Sequence, residues 1–560
     1  MDTKPRLVAN AIETKAKTIP DAPWLLYAKS SSWEQEGGYK TITWKQCANA
    51  INKMAHFLDE NIPRQSKGRQ TITYQGPNDA RYYIMMVAAA KSKRTVFIPD
   101  GRITPDGMLK ILDEIKCKIW VSTDDQGASP KGQTSLKIPY LEDILEQPND
   151  GDIQYTYNES WEQAKNEIVC IIHTSGTTGK PKTRGYKDMP TLLISELGNP
   201  KPIYLRNGFM SVFDWSLLYE RHLSPKVTYH HYENALTLTT CAPQWLGGFA
   251  FTLNAAAFVG MITVLLPPEM ESPLDRDSVI KICKHTGAKG IVTPPSLIED
   301  FYQDKSAFEF LKSLDYVCWL GAGLDSAIGD DLARHTNLFP LIGSTERGPQ
   351  PSFEARDAKT WNIFEFIPES GPRFEKISDD LYELQVDRTP EHDFFQGGFY
   401  VFPDLDTIPS SEIYSPVVDC YGSTRWTFRG RTGDLVKLSW LAKFHATHIE
   451  SAINMHSQVN AVVMGGEGRD VPYIIVEPKD HNEMKDHEGF IDEIYDAMIL
   501  SLNKKGHQEI QIPRETVMLS DPSLPFQRTL KMTIIRPKVE DSYKQHIDAM
   551  YQLWQSKKEK

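Results

Sequence analysis

Positive charge is short in this chain, and cysteine shorter still. The 62 Lys and Arg are outnumbered by 74 Asp and Glu, a net charge of −12 over 560 residues. A surface of that sign is repelled by phosphate backbones, which argues against nucleic acid as the main partner. The seven cysteines, Cys47, Cys117, Cys170, Cys241, Cys283, Cys318 and Cys420, are scattered and never spaced C-x-x-C. That pattern argues against a zinc ribbon or a disulfide framework and suits reduced thiols in a cytoplasmic protein. No apolar segment follows the polar start Met1-Asp2-Thr3-Lys4-Pro5-Arg6, so no signal peptide is visible. A long unbroken apolar run is missing too. Residues 234–268 carry no charge, but Pro243, Gln244, Gly247, Gly248, Asn254 and Gly260 interrupt them. A membrane-spanning helix needs about 20 apolar residues, so no span is expected. This stretch predicts a buried helix near 248–258 and then a buried strand, Met261–Leu266. Histidines are few and poorly clustered: His230-His231 and His445-x-x-His448 have no second ligand cluster at matching spacing. They read as surface or packing residues.

What is present is a long alternation of extended and helical signals. A chain of 560 residues exceeds one compact core, so two or more domains are expected. Helical periodicity over Ala9–Lys17, from Trp44 to Leu58, over Asp79–Ser92 and over Pro105–Lys116 separates short β-rich runs. Those runs are Trp24–Tyr27, Thr71–Tyr74, Val96–Pro99 and Ile119–Val121. Strands and helices alternating at this spacing imply parallel sheets with helices on both faces. Residues 123–165 read as a polar excursion, and 185–235 show no clear repeat. A final helix is expected over Asp541–Gln555.

The most specific stretch is Thr174-Ser175-Gly176-Thr177-Thr178-Gly179-Lys180-Pro181-Lys182, directly after the apolar run Ile168–Ile172. Two glycines let backbone N–H groups close around an anion, and hydroxyls and lysines add donors and charge. A Walker loop is excluded by spacing. Thr174 stands where that motif needs glycine, and Pro181 where it needs Ser or Thr.

The nine residues resemble the phosphate loop of the adenylate-forming superfamily: acyl-CoA synthetases, luciferases and adenylation domains of nonribosomal peptide synthetases. Further motifs follow in the family's order. Gly321-Ala322-Gly323 resembles its adenine-edge turn. Ile342-Gly343-Ser344-Thr345-Glu346 resembles Tyr-Gly-x-Thr-Glu, with Ile342 in the aromatic position. Glu412 stands where the family has a ribose-binding Asp. Gly430-Arg431-Thr432-Gly433-Asp434 resembles its hinge, with Gly433 in place of the first Asp. Arg528-Thr529-Leu530-Lys531-Met532-Thr533-Ile534-Ile535-Arg536 resembles Arg-Thr-x-Lys-Gly-Thr-x-x-Arg. The strings around 381–478 are most similar to fungal nonribosomal-peptide-synthetase-like proteins, over nearly the whole chain.

That resemblance implies an α/β fold. A large N-terminal domain (1–429) of doubly wound sheets with helices would bind ATP and carboxylate. A small mobile α+β domain (430–560) would carry the catalytic Lys531 and turn about Gly433-Asp434. It implies ATP and Mg²⁺ as cofactors, with 174–182 on the β- and γ-phosphates and Lys182 among their ligands. Thr345 would lie on the α-phosphate and Glu346 on the metal. Gly321, Ala322, Gly323, Ile342, Gly343, Ser344, Glu412 and Arg431 would surround the nucleoside. The reaction implied joins a small-molecule carboxylic acid to AMP, then passes the acyl group to phosphopantetheine on a carrier domain or protein, or to CoA.

Phe213-Asp214-Trp215-Ser216 looks like the Asp motif that holds a substrate ammonium. It is discounted because in the family that motif directly precedes the helix–strand pair, here 249–266. The corresponding position, Pro243 to Gly247, carries no acid. Trp245, Gly247 and Gly248 are therefore read as an uncharged pocket floor suited to an aryl or other non-amino acid. The Ser439–Lys443 stretch replaces the family's Asn-Gly-Glu-Lys. A free-standing acyl-CoA synthetase, an amide ligase and a non-catalytic nucleotide-binding homologue remain alternatives. No reductase G-x-G-x-x-G, thioesterase G-x-S-x-G or carrier serine motif is seen.

Overall fold

A computed structural model describes residues 5–558 except 67, 102, 124–128, 149–150, 174–200, 215–225, 271–273, 379, 419–423, 433–434, 440–442, 482–485, 506–509 and 529–533. Two largely parallel sheets form the bulk of the chain. One runs, in spatial order, Thr134–Lys137, Ile119–Ser122, Gln70–Gln75, Arg94–Phe97, Ile168–His173 and Pro202–Arg206, with the last strand antiparallel. The other runs Asn337–Leu341, Tyr316–Leu320, Gly290–Thr293, Leu236–Thr239, Ile262–Val264, Pro23–Tyr27 and Lys40–Thr43, again with an antiparallel last strand.

Helices lie on both faces, as the alternation of signals predicts. Helix Trp44–Asn61 starts at a capping box in which Thr43 and Gln46 satisfy each other's backbone N–H groups. Every residue of helix Arg81–Lys91 is buried, within a core that joins both sheets. Its two charged members survive burial because they are paired: Arg81 with Asp79, and Lys91 with Glu13 at 2.6 Å. Helices Arg276–Thr286, Pro295–Tyr302, Lys305–Lys312 and Ser326–Leu332 cover the outer face of the seven-stranded sheet.

The uncharged 234–268 stretch is the expected buried helix and strand. Between Leu246–Phe249 and Ala256–Phe258 the helix widens into a π segment, Ala250–Ala255. The Thr252 carbonyl there accepts the Trp24 indole N–H at 2.8 Å. A widened turn frees such a carbonyl from its intrahelical partner. No helix among the described residues is long and apolar enough to cross a membrane.

Three expectations need correction. The 123–165 excursion contains the strand Thr134–Lys137 and helices Leu141–Leu145 and Trp161–Ala164. The 185–235 region contributes the sheet-edge strand Pro202–Arg206. The terminal helix is two helices, Arg536–Ser542 and Lys544–Lys558.

A five-stranded antiparallel sheet follows: Ile363–Phe364, Thr424–Arg431, Thr407–Val418, Leu381–Asp387 and Pro372–Ser378. The last part of the chain has a three-stranded sheet, Val459–Gly465, Tyr473–Pro478 and Val517–Leu519, with its own apolar clusters on two faces. This agrees with an α/β fold bearing a separate C-terminal unit.

Candidate functional site

The predicted nucleotide turns fall at one kind of place, the carboxyl ends of parallel strands. Gly321-Ala322-Gly323 follows Tyr316–Leu320, Ile342–Glu346 follows Asn337–Leu341, and Trp245–Gly248 follows Leu236–Thr239. In the other sheet Ile168–His173 leads into the 174–182 loop, which lies outside the described residues. Open α/β sheets bind ligands outside these ends.

Contacts tie the turns together. A Cβ on Gly247 would meet Cys241 Sγ at 2.9 Å and Leu320 Cδ1 at 3.6 Å, so the Trp245 segment abuts the strand entering the Gly321 turn. On Gly323 it would meet the Phe428 ring at 3.5 Å. Phe428 thus brings an aromatic to the turn read as the adenine edge, while Ile342, the residue at the expected aromatic position, opens the separate Ile342–Glu346 turn. The 320–323 and 428 segments are far apart in sequence, so the sequence reading missed it.

Thr345 and Glu346 sit at the tip of a tight hairpin, Gly343–Ser344 against Gly348–Pro349. Gly343 has φ +154°, and a Cβ there would lie 2.3 Å from the Gly348 carbonyl oxygen, so only glycine fits. Ser344 Oγ accepts the Arg347 backbone N–H at 3.2 Å and closes the turn. The Glu346 carboxylate is half-buried and has no protein partner among the described residues. A carboxylate left in that state suits a hard divalent cation such as Mg²⁺.

Arg347, the next residue, was not singled out from sequence. Its side chain is 4% exposed, and Nη2 lies 3.0 Å from Oε1 of Glu412, itself 8% exposed. Glu412 also accepts the Tyr414 phenol at 3.2 Å. Burial, with the Glu412 charge, pushes the Tyr414 pKa well up and keeps that proton in place. The residue read as a ribose-binding acid is therefore held in a buried ion pair on the strand opposite Arg431, its cross-strand partner. Ser411 just before it has φ +59°, a conformation that costs a non-glycine residue strain.

The Trp245 segment, read from sequence as a pocket floor, has a charged neighbour that the sequence did not show. No acid lies in Pro243–Gly247, but Asp100, which follows strand Arg94–Phe97, is buried and accepts the Trp245 indole N–H at 2.8 Å. The Asp100 backbone N–H in turn donates to His173 Nε2 at 3.0 Å, one residue before the 174–182 stretch. The segment itself is uncharged as read, and its indole is held by a buried carboxylate from another strand end. Gly248 is packed against the Ala242 carbonyl, where a Cβ would approach to 2.1 Å. The discounted Asp214 is buried and takes Arg6 in a two-point pair, at 2.9 Å and 2.5 Å. It anchors the N-terminal segment.

Glu299, on the helix after Gly290–Thr293, has its carboxyl pushed up to about 7 by burial and then by Asp325, which follows the Gly321 turn. Below pH 7 the folded chain keeps a proton there that the unfolded chain releases above about pH 4.5. Stability is therefore expected to fall as pH rises from about 4.5 to 7 and to be flat for this group above that. Glu299→Gln should match the parent at pH 4.5 and be more stable at pH 8 by roughly 1–3 kcal/mol, measured by denaturant unfolding. An equal difference at both pH values would show that charge is not the cause.

Lys531, Gly433 and Asp434 lie outside the described residues. Around them, Arg528 and Ile534 form an antiparallel bridge. Arg536 makes a two-point pair with Glu450, at 2.5 Å and 2.8 Å, and Arg528 pairs with Glu477. These arginines tie the C-terminal unit to itself.

The AMP-binding enzyme family matches residues 12–183, and the AMP-binding enzyme C-terminal domain matches 433–555. A carboxylic acid reductase of Neurospora crassa is 26% identical over 98% of this chain and 51% of its own length. An isocyanide synthase–nonribosomal peptide synthetase hybrid of Aspergillus fumigatus is 24% identical over 98% of this chain and 33% of its own. The chain thus spans about half and a third of those two relatives. Among solved structures, o-succinylbenzoate coenzyme A synthetase of Bacillus subtilis in complex with AMP superimposes with a TM-score of 0.65. It is 11% identical and covers 96% of this chain and 98% of its own.

Proposed function

We propose that this chain, which belongs to the adenylate-forming superfamily and is close to its fungal nonribosomal-peptide-synthetase-like branch, joins a carboxylic acid to AMP at the expense of ATP. The observation that supports the reading is that two of the resembling turns, Gly321–Gly323 and Ile342–Glu346, follow the carboxyl ends of neighbouring parallel strands. Gly247 abuts Leu320 at the first of them, Phe428 of the antiparallel sheet abuts Gly323, and Arg347 after the second pairs with Glu412. No side-chain nucleophile is required. The substrate carboxylate attacks the α-phosphorus in line, an acyl–O–P bond forms, and pyrophosphate leaves with its electron pair. Rate then comes from positioning and from neutralising charge that develops on phosphate oxygens.

In this reading residues 174–182 hold the β- and γ-phosphates. The Thr345 hydroxyl at the hairpin tip donates to the α-phosphate. Mg²⁺, when bound, neutralises phosphate charge, and Glu346 would hold it. Gly321–Gly323 and Phe428 border the base, and Glu412 faces the ribose with its charge offset by Arg347. The unit from about residue 430 brings Lys531 to the reacting carboxylate. It then turns about Gly433-Asp434 to admit the thiol of a phosphopantetheine carrier.

An aryl or other non-amino acid is the proposed substrate class. Asp214 is committed to Arg6, and the Pro243–Gly247 segment has no carboxylate for an ammonium. Trp245, fixed by Asp100, offers an aromatic wall instead. Acid-dependent ATP–pyrophosphate exchange across aryl, fatty, 2-oxo and amino acids tests this. Aryl acids are expected to give the highest exchange. Exchange confined to amino acids would reverse the substrate assignment, and Asp100→Asn would then show whether that carboxylate serves the ammonium.

A further inference from the structure

We propose that His230, His231 and Glu354 form a binding site for one first-row divalent transition-metal ion, with Zn²⁺ the ion that suits its two nitrogens and one oxygen. The three offered ligand atoms lie within 4.8 Å of one another. From sequence the histidines read as packing residues, because Glu354 is more than a hundred positions away.

Backbone pairing brings them together. Val227 and Phe353 form an antiparallel bridge, Thr228 N–H donates to the Ser352 carbonyl at 3.3 Å, and Glu354 N–H donates to the Lys226 carbonyl at 2.8 Å. The short 3₁₀ turn Thr228–Tyr232 then presents both rings to the Glu354 carboxylate. His231 Nε2 lies 3.0 Å from Oε1, and His230 Nε2 lies 4.0 Å from Oε2.

Tautomer and orientation are set in the way metal sites require. His230 Nδ1–H donates to the Val227 carbonyl at 2.9 Å, which leaves the Nε2 lone pair for an ion. The His231 ring stacks on Phe339 at 5.0 Å and 18°, which fixes its direction. An ion entering would take the Nε2 lone pair of His231 while its proton moves to Nδ1. One carboxylate charge would offset part of the ion's. Lys226 is the nearby cation that opposes it. Three protein ligands leave a fourth position for water.

This site is separate from the nucleotide turns. His230 and His231 precede the amino end of strand Leu236–Thr239, whereas the turns follow carboxyl ends. An ion here would clamp the 226–232 segment to 352–354, which runs on from the Thr345–Glu346 hairpin.

The test uses the full chain stripped with EDTA and titrated with ZnCl₂ and, separately, CoCl₂. The parent is expected to bind one equivalent of either. Co²⁺ should show visible d–d bands without thiolate charge transfer, since the six described cysteines are buried. Zn²⁺ should raise the thermal midpoint by about 2–5 °C. Glu354→Gln and His230→Asn, both at partly exposed positions, should each lose that equivalent, the bands and the shift while matching the parent's midpoint in EDTA. Binding unchanged in both variants, thiolate charge transfer, or no bound ion in the parent would overturn the site.

Discussion

Arg347→Met is expected to destabilise the chain by about 3–5 kcal/mol, because it leaves the largely buried Glu412 carboxylate without its cation. The pair is 4% and 8% exposed, and its contact distance is 3.0 Å. Losing one partner of a buried pair costs more than losing both, since the survivor keeps the whole desolvation penalty. The double replacement Arg347→Met/Glu412→Gln should therefore recover most of the lost stability in denaturant unfolding. Activity separates two roles for Glu412. If it serves only to pair Arg347, the double variant will exchange pyrophosphate like the parent. If it holds the ribose, stability will return while exchange stays low and the KM for ATP rises. A single variant as stable as the parent would mean that the pair is not buried in solution.

Lys531→Ala is expected to lower acid-dependent ATP–pyrophosphate exchange by about 10²–10³, the usual cost of removing one charged contact to a transition state. Arg528 and Arg536, the other cations of this stretch, are engaged by Glu477 and Glu450. Neither is expected to replace the lysine. Nucleotide binding, followed by dye displacement, should change much less than exchange, since the proposed reading assigns most of the ATP contacts to residues before 430. Exchange unaffected by the replacement would remove Lys531 from the mechanism. Exchange absent from the parent as well, with ATP still bound, would favour the non-catalytic homologue.

Local patterns carried most of the secondary structure. Thr43–Gln46 announces a helix start by reciprocal capping, and the Trp44–Asn61 helix begins there. The run before Thr174 is apolar because Ile168–His173 is an interior strand, with neighbours on both sides. Pro202–Arg206 escaped because a short edge strand carries little periodicity of its own; its pairing with Ile168–His173 defines it. The terminal helix was misjudged at both ends for a related reason. Pro537 opens the first helix at an early position, and Tyr543, buried in the C-terminal core, stands between the two.

The sequence by itself determined the order of the motifs on which the proposed chemistry rests: residues 174–182, Gly321–Gly323, Thr345-Glu346, 430–434 and Lys531. Each is a contiguous string whose residue types answer to a local need, such as backbone donors, a tight turn or a carboxylate. Tertiary structure alone decided the partnerships. Arg347 with Glu412, Asp100 with Trp245, Arg6 with Asp214 and the His230–His231–Glu354 group each join residues from distant segments. Charge and hydrogen-bond pairing depend on distances of a few ångströms, and those are set by strand order and register. A string of residues holds such distances only when they lie within a turn or two of one another.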